Sequence, residues 1–270
     1  MYRITLFNRI GIFIPVYFRE DLVIKSLESL LKSNFKFLEV FLSVGINGAN
    51  KKFRDFLKDY VINNSMQFKG KKFTYIDVFD PNVNFGKPKI INAMAKKNEH
   101  VFDFLVSMDS DIQITDPDWL LKLVHVHNKY MKKIEDGRPL AALCANQEGH
   151  SVHQLNKFGK VSLKLDDYTL VTTRTNQGVA GGILMASKHM WKHIGGYRAS
   201  NIYGSDDGSY AIDSNNMNFL MAYVEEIKCF HPTDENINYA EWKLRSVNGE
   251  LSDDEKNGFF ENLRHENIQV

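Results

Sequence analysis

Cysteine is almost missing from this 270-residue chain: Cys144 and Cys229 are the only two, each in an apolar run. Two such residues build no disulfide framework. They read as buried free thiols suited to a reducing compartment. Long apolar runs are missing as well. None approaches the roughly 20 residues of a membrane-spanning helix, and the N-terminus lacks a charged-then-apolar leader pattern. A cytoplasmic setting is expected. Neither charge sign dominates, since 34 Lys and Arg face 33 Asp and Glu for a net +1. This excludes a global electrostatic footprint for nucleic acid or membrane and leaves only a local basic patch open. Internal repeats, low-complexity tracts and Pro/Gly-rich linkers are also lacking. Residues 1–250 therefore read as a single domain, with a polar tail or helix at 251–270.

What remains, 43% hydrophobic and 25% charged residues, is the composition of an ordinary globular protein. Its apolar residues alternate between strand and helix patterns. Ile10 to Pro15 reads as a buried strand, and Asp21 offers an N-cap for a helix carrying Leu22, Leu27, Leu30 and Leu31. The unit repeats through a strand at Leu38–Val44, the turn Gly45-Ile-Asn-Gly48 and a helix at Lys51–Tyr60. It repeats again through a strand at Phe73–Val78, the loop Asp80 to Pro88, a helix at Ile90–Lys97 and a central strand at Phe104–Met108. Such alternation predicts a mostly parallel, doubly wound α/β sheet. Ligands of such sheets bind outside the carboxyl ends of the strands. Pro15, Tyr17, Asn47, the Asn84-Phe-Gly-Lys87 loop and the pair Asp109 and Asp111 all fall on that edge.

The central strand ends in Asp109-Ser-Asp111. If extended backbone persists through Ser110, both carboxylates leave on one side, an arrangement suited to a hard divalent cation or to ribose hydroxyls. Asp-Ser-Asp after a strand is also often only turn chemistry. Farther on, Asp116-Pro-Asp-Trp119 opens a helix, Ala141–Cys144 is a short buried strand, and Val161-Ser-Leu-Lys-Leu165 suggests a hairpin or flap. His150 and His153 have a metal-like spacing but no matching Cys or carboxylate set, so they read as loop residues. Gly178 to Ala186 returns to strand character, Ser187 caps a helix that stops at Gly195-Gly196, and another helix begins near Gly208. Strands follow at Phe219–Val224 and Ile227–His231.

In this order the segments resemble the inverting glycosyltransferases of the A-type nucleotide-sugar fold (GT-A, Rossmann-like), the large family 2-like group. The resemblance spans about residues 9–232. It rests on Ile14-Pro-Val-Tyr-Phe18, on Asn84-Phe-Gly-Lys87 with Asn92, on Asp109-Ser-Asp111, on Gly181-Gly-Ile-Leu-Met185, on Ile194-Gly-Gly-Tyr197 and on Asp206-Asp207. Two departures stand out: Phe18 replaces the usual Asn, and Val44-Gly-Ile-Asn47 stands where members commonly carry an acidic Asp-Gly-Ser-type segment.

The resemblance implies a GT-A fold with a smaller antiparallel acceptor-side part and a metal-dependent transferase using a nucleoside-diphosphate sugar, with UDP the expected nucleotide. Mn2+ or Mg2+ would be held by Asp111, with Asp109 on the metal or the ribose and His231 as a further ligand. Asp207 would be the base, with Asp206 its neighbouring alternative; an acidic pair opening a helix also caps it and complements the dipole. Pro15, Tyr17, Asn47, Lys87, Asp109, Ser110, Gly181 and Gly182 would meet the donor. Trp191 and Tyr197 would wall the acceptor, and Arg245 would close over the diphosphate from a lid. The expected acceptor is a saccharide; a protein side chain or a hydroxylated nucleobase is the alternative. Two rival functions remain. A sugar-nucleotidyltransferase would carry a Gly-rich phosphate loop with Arg and Lys, which residues 10–20 lack, and a non-catalytic nucleotide-sugar binding protein would tolerate loss of Asp207.

Overall fold

Ile10, Ile12, Ile14 and Val16 alternate with Gly11, Phe13 and Pro15 along the first strand, β1 (Asn8–Val16), and the first set buries into one cluster while Phe13 buries into another. The same division runs through the sheet of this computed structural model. It describes residues 8–17, 19–49, 51–63, 73–133, 137–149, 157–179, 181–198, 206–232, 241, 244–245 and 248–252. On one face, helices α1 (Glu20–Leu31) and α2 (Lys51–Asn63) pack with a later helix, α4 (Trp119–Lys133). On the other lie α3 (Lys87–Lys97), α5 (Lys188–Ile194) and α6 (Asp206–Asn216). A sheet buried on both faces needs apolar side chains at consecutive positions, which explains the continuous runs in the sequence.

The remaining strands are β2 (Leu38–Ile46), β3 (Tyr75–Phe79), β4 (Phe104–Met108), β5 (Gln113–Ile114), β6 (Leu140–Glu148), β7 (Lys160–Leu165), β8 (Tyr168–Thr173), β9 (Ile183–Ser187) and β10 (Leu220–Phe230). Their order is β3-β2-β1-β4-β9-β6-β10-β8-β7, with β5 against β10. The β3-β2-β1-β4 half is parallel, and β6 runs parallel to β10. β9 lies antiparallel between β4 and β6, and the β7–β8 hairpin adds an antiparallel edge. A parallel half joined to a smaller antiparallel part is the mixed sheet that the resemblance implies.

Local chemistry explains several boundaries. The Ser187 side chain accepts from the Met190 N–H, and Gly195, at φ 95°, ends α5, both as the sequence indicates. Asp21, however, is not the cap of α1. It sits in the first turn, and the cap position belongs to Arg19, whose backbone is left-handed (φ 68°, ψ 58°) with its carbonyl accepting from Leu22 and Val23. For a non-glycine residue this conformation costs about 1 kcal/mol or more. The expected pair of late strands is one strand, β10, whose register against β6 shifts between Val224 and Lys228. Such a bulge accommodates residues 225–227 without breaking the ladder. The helix expected from Gly208 starts two residues earlier, at Asp206. His150, His153, Phe18 and almost all of the expected C-terminal tail lie outside the described residues.

Candidate functional site

The carboxyl ends of β1 and β2 are joined by the Asn47 N–H, which donates to the Val16 carbonyl at 2.7 Å. Asn47 is buried, and its side-chain oxygen accepts from the Phe85 N–H at 2.8 Å. It therefore anchors the Asn84–Gly86 loop. Gly48, at φ 79°, lets that loop lie close, since a Cβ there would come within 2.8 Å of the Asn84 backbone nitrogen. Asn84 accepts from the Gly86 N–H at 2.9 Å and hydrogen-bonds Tyr17, whose hydroxyl is held protonated chiefly by burial. Pro15 is buried inside β1 opposite Gly45. The structure thus gives Pro15 and Asn47 scaffold contacts, and it leaves Tyr17 partly exposed at the strand edge.

Extended backbone does not persist through Ser110, contrary to one condition set by the sequence. β4 stops at Met108, and the chain turns, with the Ile112 N–H donating to the Asp109 carbonyl at 3.2 Å. The turn nevertheless brings the carboxylates together. β5, which follows it, pairs with Cys229 and Phe230 at the end of β10, and this carries His231 to the same place. Ligand atoms of Asp109, Asp111 and His231 lie within 4.8 Å of one another. His231 Nδ1 is 3.0 Å from the Pro232 carbonyl oxygen, which can only accept, so the proton belongs on Nδ1. Its Nε2, 3.6 Å from Asp111 Oδ1, is the ring atom turned toward the carboxylates and the one that could ligate a cation. Two carboxylates and an imidazole fit a borderline cation such as Mn2+ better than an all-oxygen Mg2+ site.

A second acidic group faces the first across Lys87. This residue opens α3 after Gly86, and its ammonium lies 2.6 Å from Asp109 Oδ1 while also contacting the Asp206 carboxylate. Asp207 Oδ2 accepts from the Gly181 N–H at 2.9 Å, and Asp109 N–H donates to the Gly182 carbonyl at 2.8 Å. The two glycines therefore stitch both acidic groups together. A methyl group on Gly181 would overlap the Asp207 side chain, and one on Gly182 would overlap the Gln147 amide. Gly181→Ala is expected to cost about 1–3 kcal/mol as an overpacked contact and to displace Asp207. Denaturant unfolding with wild-type stability would show that this approach is looser than described.

A model of glycosyl transferase family 2 matches residues 11–179. The chain belongs to this family. The match takes in Asp109 and Asp111 and ends before Gly181. No curated protein sequence matches the chain significantly. Solved structures share the fold of this family 2 domain. The mannosyltransferase PcManGT from Pyrobaculum calidifontis, in complex with GDP-Man and Mn2+, aligns at TM-score 0.62 and 12% identity, covering 90% of this chain and 64% of that one. S. aureus TarS 1-349 with UDP-GlcNAc gives 0.59 and 14%, over 84% and 59%. GalNAc-T7 with UDP, GalNAc and Mn2+ gives 0.58 and 12%, over 84% and 44%. The chain thus spans less than two thirds of the length of each.

The two acids at the start of α6 are in unlike states. Burial opposes ionisation of Asp206, but the Lys87 charge and backbone N–H groups outweigh it and hold its carboxyl below the usual range. Asp207 is pushed up to about 6, first by burial and then by the neighbouring Asp206 charge. Asp109 is also raised, mainly by burial. Lys87 loses by burial and gains more from Asp109 and Asp206, so it stays an ammonium.

Other contacts that the resemblance implies fall elsewhere. Trp191 and Tyr197 are only 6% and 2% exposed, packed edge-to-face at 4.9 Å and joined by Tyr210. They form core beneath the site rather than an open acceptor wall, because two buried aromatics gain more by packing each other. Asn92 on α3 clamps Tyr197 by accepting from its N–H and donating to its carbonyl, at 3.1 and 2.7 Å. Ser110 occupies the turn between the two aspartates. Arg245 donates to the Glu250 carbonyl at 3.4 Å, and most of the lid expected around it lies outside the described residues. Sequence reasoning missed Arg19, whose guanidinium is 3.4 Å from Asp111, and Gln147, which faces Gly182. Arg19 had one signal, its place just past the first strand; Gln147 had none. No helix among the described residues is long and apolar enough to cross a membrane.

Proposed function

We propose that this chain is an inverting, metal-dependent glycosyltransferase that moves a sugar from a nucleoside-diphosphate donor, UDP-linked, to an acceptor hydroxyl of a saccharide. The observation that carries the reading is the pairing of a two-carboxylate and imidazole cluster, Asp109, Asp111 and His231, with a second carboxylate, Asp207, raised toward neutrality across Lys87. Family membership and the nucleotide-sugar and Mn2+ complexes of the fold relatives support it.

In this proposal Asp111, His231 and Asp109 hold the cation, which when bound supplies positive charge to the leaving diphosphate. Tyr17 and the Asn84–Lys87 loop border the nucleotide. Asp207 takes the proton from the acceptor hydroxyl, and its pKa of about 6 leaves it ionised yet basic near neutral pH. Asp206 does different work, since its ion pair with Lys87 keeps a fixed negative charge beside Asp207. Incubating the protein with UDP- and GDP-linked sugars, Mn2+ and oligosaccharide acceptors should release nucleoside diphosphate and give a product of inverted anomeric configuration. Retention of configuration, or release of pyrophosphate instead, would overturn the proposal.

A further inference from the structure

The guanidinium of Arg19 lies against the same carboxylate that the cation would need. Arg19 Nη1 is 3.4 Å from Asp111 Oδ2, while Asp111 Oδ1 faces His231 Nε2 at 3.6 Å. Asp111 thus has one oxygen toward the arginine and the other toward the imidazole. Arg19 reaches it from a backbone that L side chains rarely adopt, at φ 68° and ψ 58°, on the short link between β1 and α1. Any glycine would hold that link without strain. Observed strain at a site edge is a reason to ask what the side chain does there.

From this placement we infer that Arg19 is a donor-binding residue that doubles as an internal counter-ion: it neutralises Asp111 before the cation arrives and turns to the donor diphosphate afterwards. The inference rests on the metal-dependent reading above. A divalent ion and a guanidinium compete for one carboxylate, because both are satisfied by the same oxygens. Once the ion takes Asp111, the guanidinium gives up that contact at the edge where cation-bound phosphate oxygens would lie. Its planar fork of donors suits phosphate as well as carboxylate. Lys87 does not fill this role, since it is engaged by Asp109 and Asp206 on the other side of the pair.

The inference predicts opposite signs for two ligands. In Arg19→Gly, Mn2+ alone should bind about three- to tenfold more tightly, because a partly exposed competing ion pair is gone. UDP or GDP with saturating Mn2+ should bind about tenfold or more weakly, the cost of a lost charge-assisted hydrogen bond. Arg19→Lys should fall between wild type and Arg19→Gly on both measures. Glycine also relieves the left-handed backbone, so the variant is expected to fold at least as well as wild type by thermal unfolding. Isothermal titration of both ligands makes the test. Movement of both affinities in the same direction, or of neither, overturns the role of Arg19 alone. If Asp111→Ala leaves the Mn2+ isotherm unchanged, the metal site fails and the inference fails with it.

Discussion

Asp207→Asn is expected to abolish most transfer, by about 10²–10⁴-fold, while leaving nucleotide binding intact. Asparagine keeps the shape and can still accept from the Gly181 N–H through its carbonyl oxygen. What it loses is the second acceptor, which takes the Gly208 N–H at 2.8 Å, and the ability to take a proton. The pH profile gives a second handle. With its carboxyl raised to about 6, the base is protonated below that pH, so wild-type activity should fall on the acid side near 6 rather than near the ordinary 3.8. A bound cation favours the ionised form and should move that limb to lower pH. Stability runs the other way. A carboxyl whose folded pKa is raised contributes stability that is fully present below 3.8 and lost as pH rises through about 6. Asp207→Asn should therefore be at least as stable as wild type at pH 8. An inactive variant that is also markedly less stable would point to a structural role instead.

Lys87→Met should be the most destabilising change in the site. It removes the cation between Asp109 and Asp206 and leaves them, with Asp207 nearby, as a cluster of largely buried like charges. Breaking a buried pair by deleting one partner costs about 3 kcal/mol or more, although methionine retains the packing volume. The loss must depend on pH. Without Lys87 the carboxyls rise in the folded state, so the penalty is full at neutral pH and shrinks as they protonate on acidification. Denaturant unfolding of metal-free protein between pH 4 and 8 should show the gap to wild type narrowing toward pH 4. A constant gap would mean that Lys87 acts through packing alone.

Most strands and helices could be placed from the chain because each is written locally, although the strand expected at Ala141–Cys144 extends over Leu140–Glu148 and the two late strands are one. Ser187 and Gly195 carry the cap chemistry of α5 in their own side chains and backbone, and Phe104–Met108 is bounded by polar residues on both sides. What escaped is long-range. No local pattern says that β9 runs antiparallel between β4 and β6, or that β5 pairs with β10 and so carries His231 to Asp111. The aspartates meet through a turn after β4, not through strand pleating, and only the fold decides between those routes to the same convergence. Aromatic residues around a helix are more often core than wall, and Tyr210 packing against both places Trp191 and Tyr197 in the core. The glycine pair was legible as a place of close approach. That the approaching groups are Asp207 and Gln147, rather than a ligand, depends on α6 and β6 arriving from elsewhere in the chain.

The most direct test of the metal-dependent donor site is thermal unfolding of wild type and Asp111→Ala with UDP and GDP, each with and without Mn2+. Ligand that binds only the native state raises its stability by RT ln(1 + [L]/Kd), about 2.7 kcal/mol at one hundred times Kd. In wild type, nucleotide should add an upward shift beyond that of Mn2+ alone only when Mn2+ is present, and Asp111→Ala should lose that added shift while remaining folded. An equal shift in the variant, or no dependence on Mn2+ in wild type, would contradict a donor site built on Asp109, Asp111 and His231.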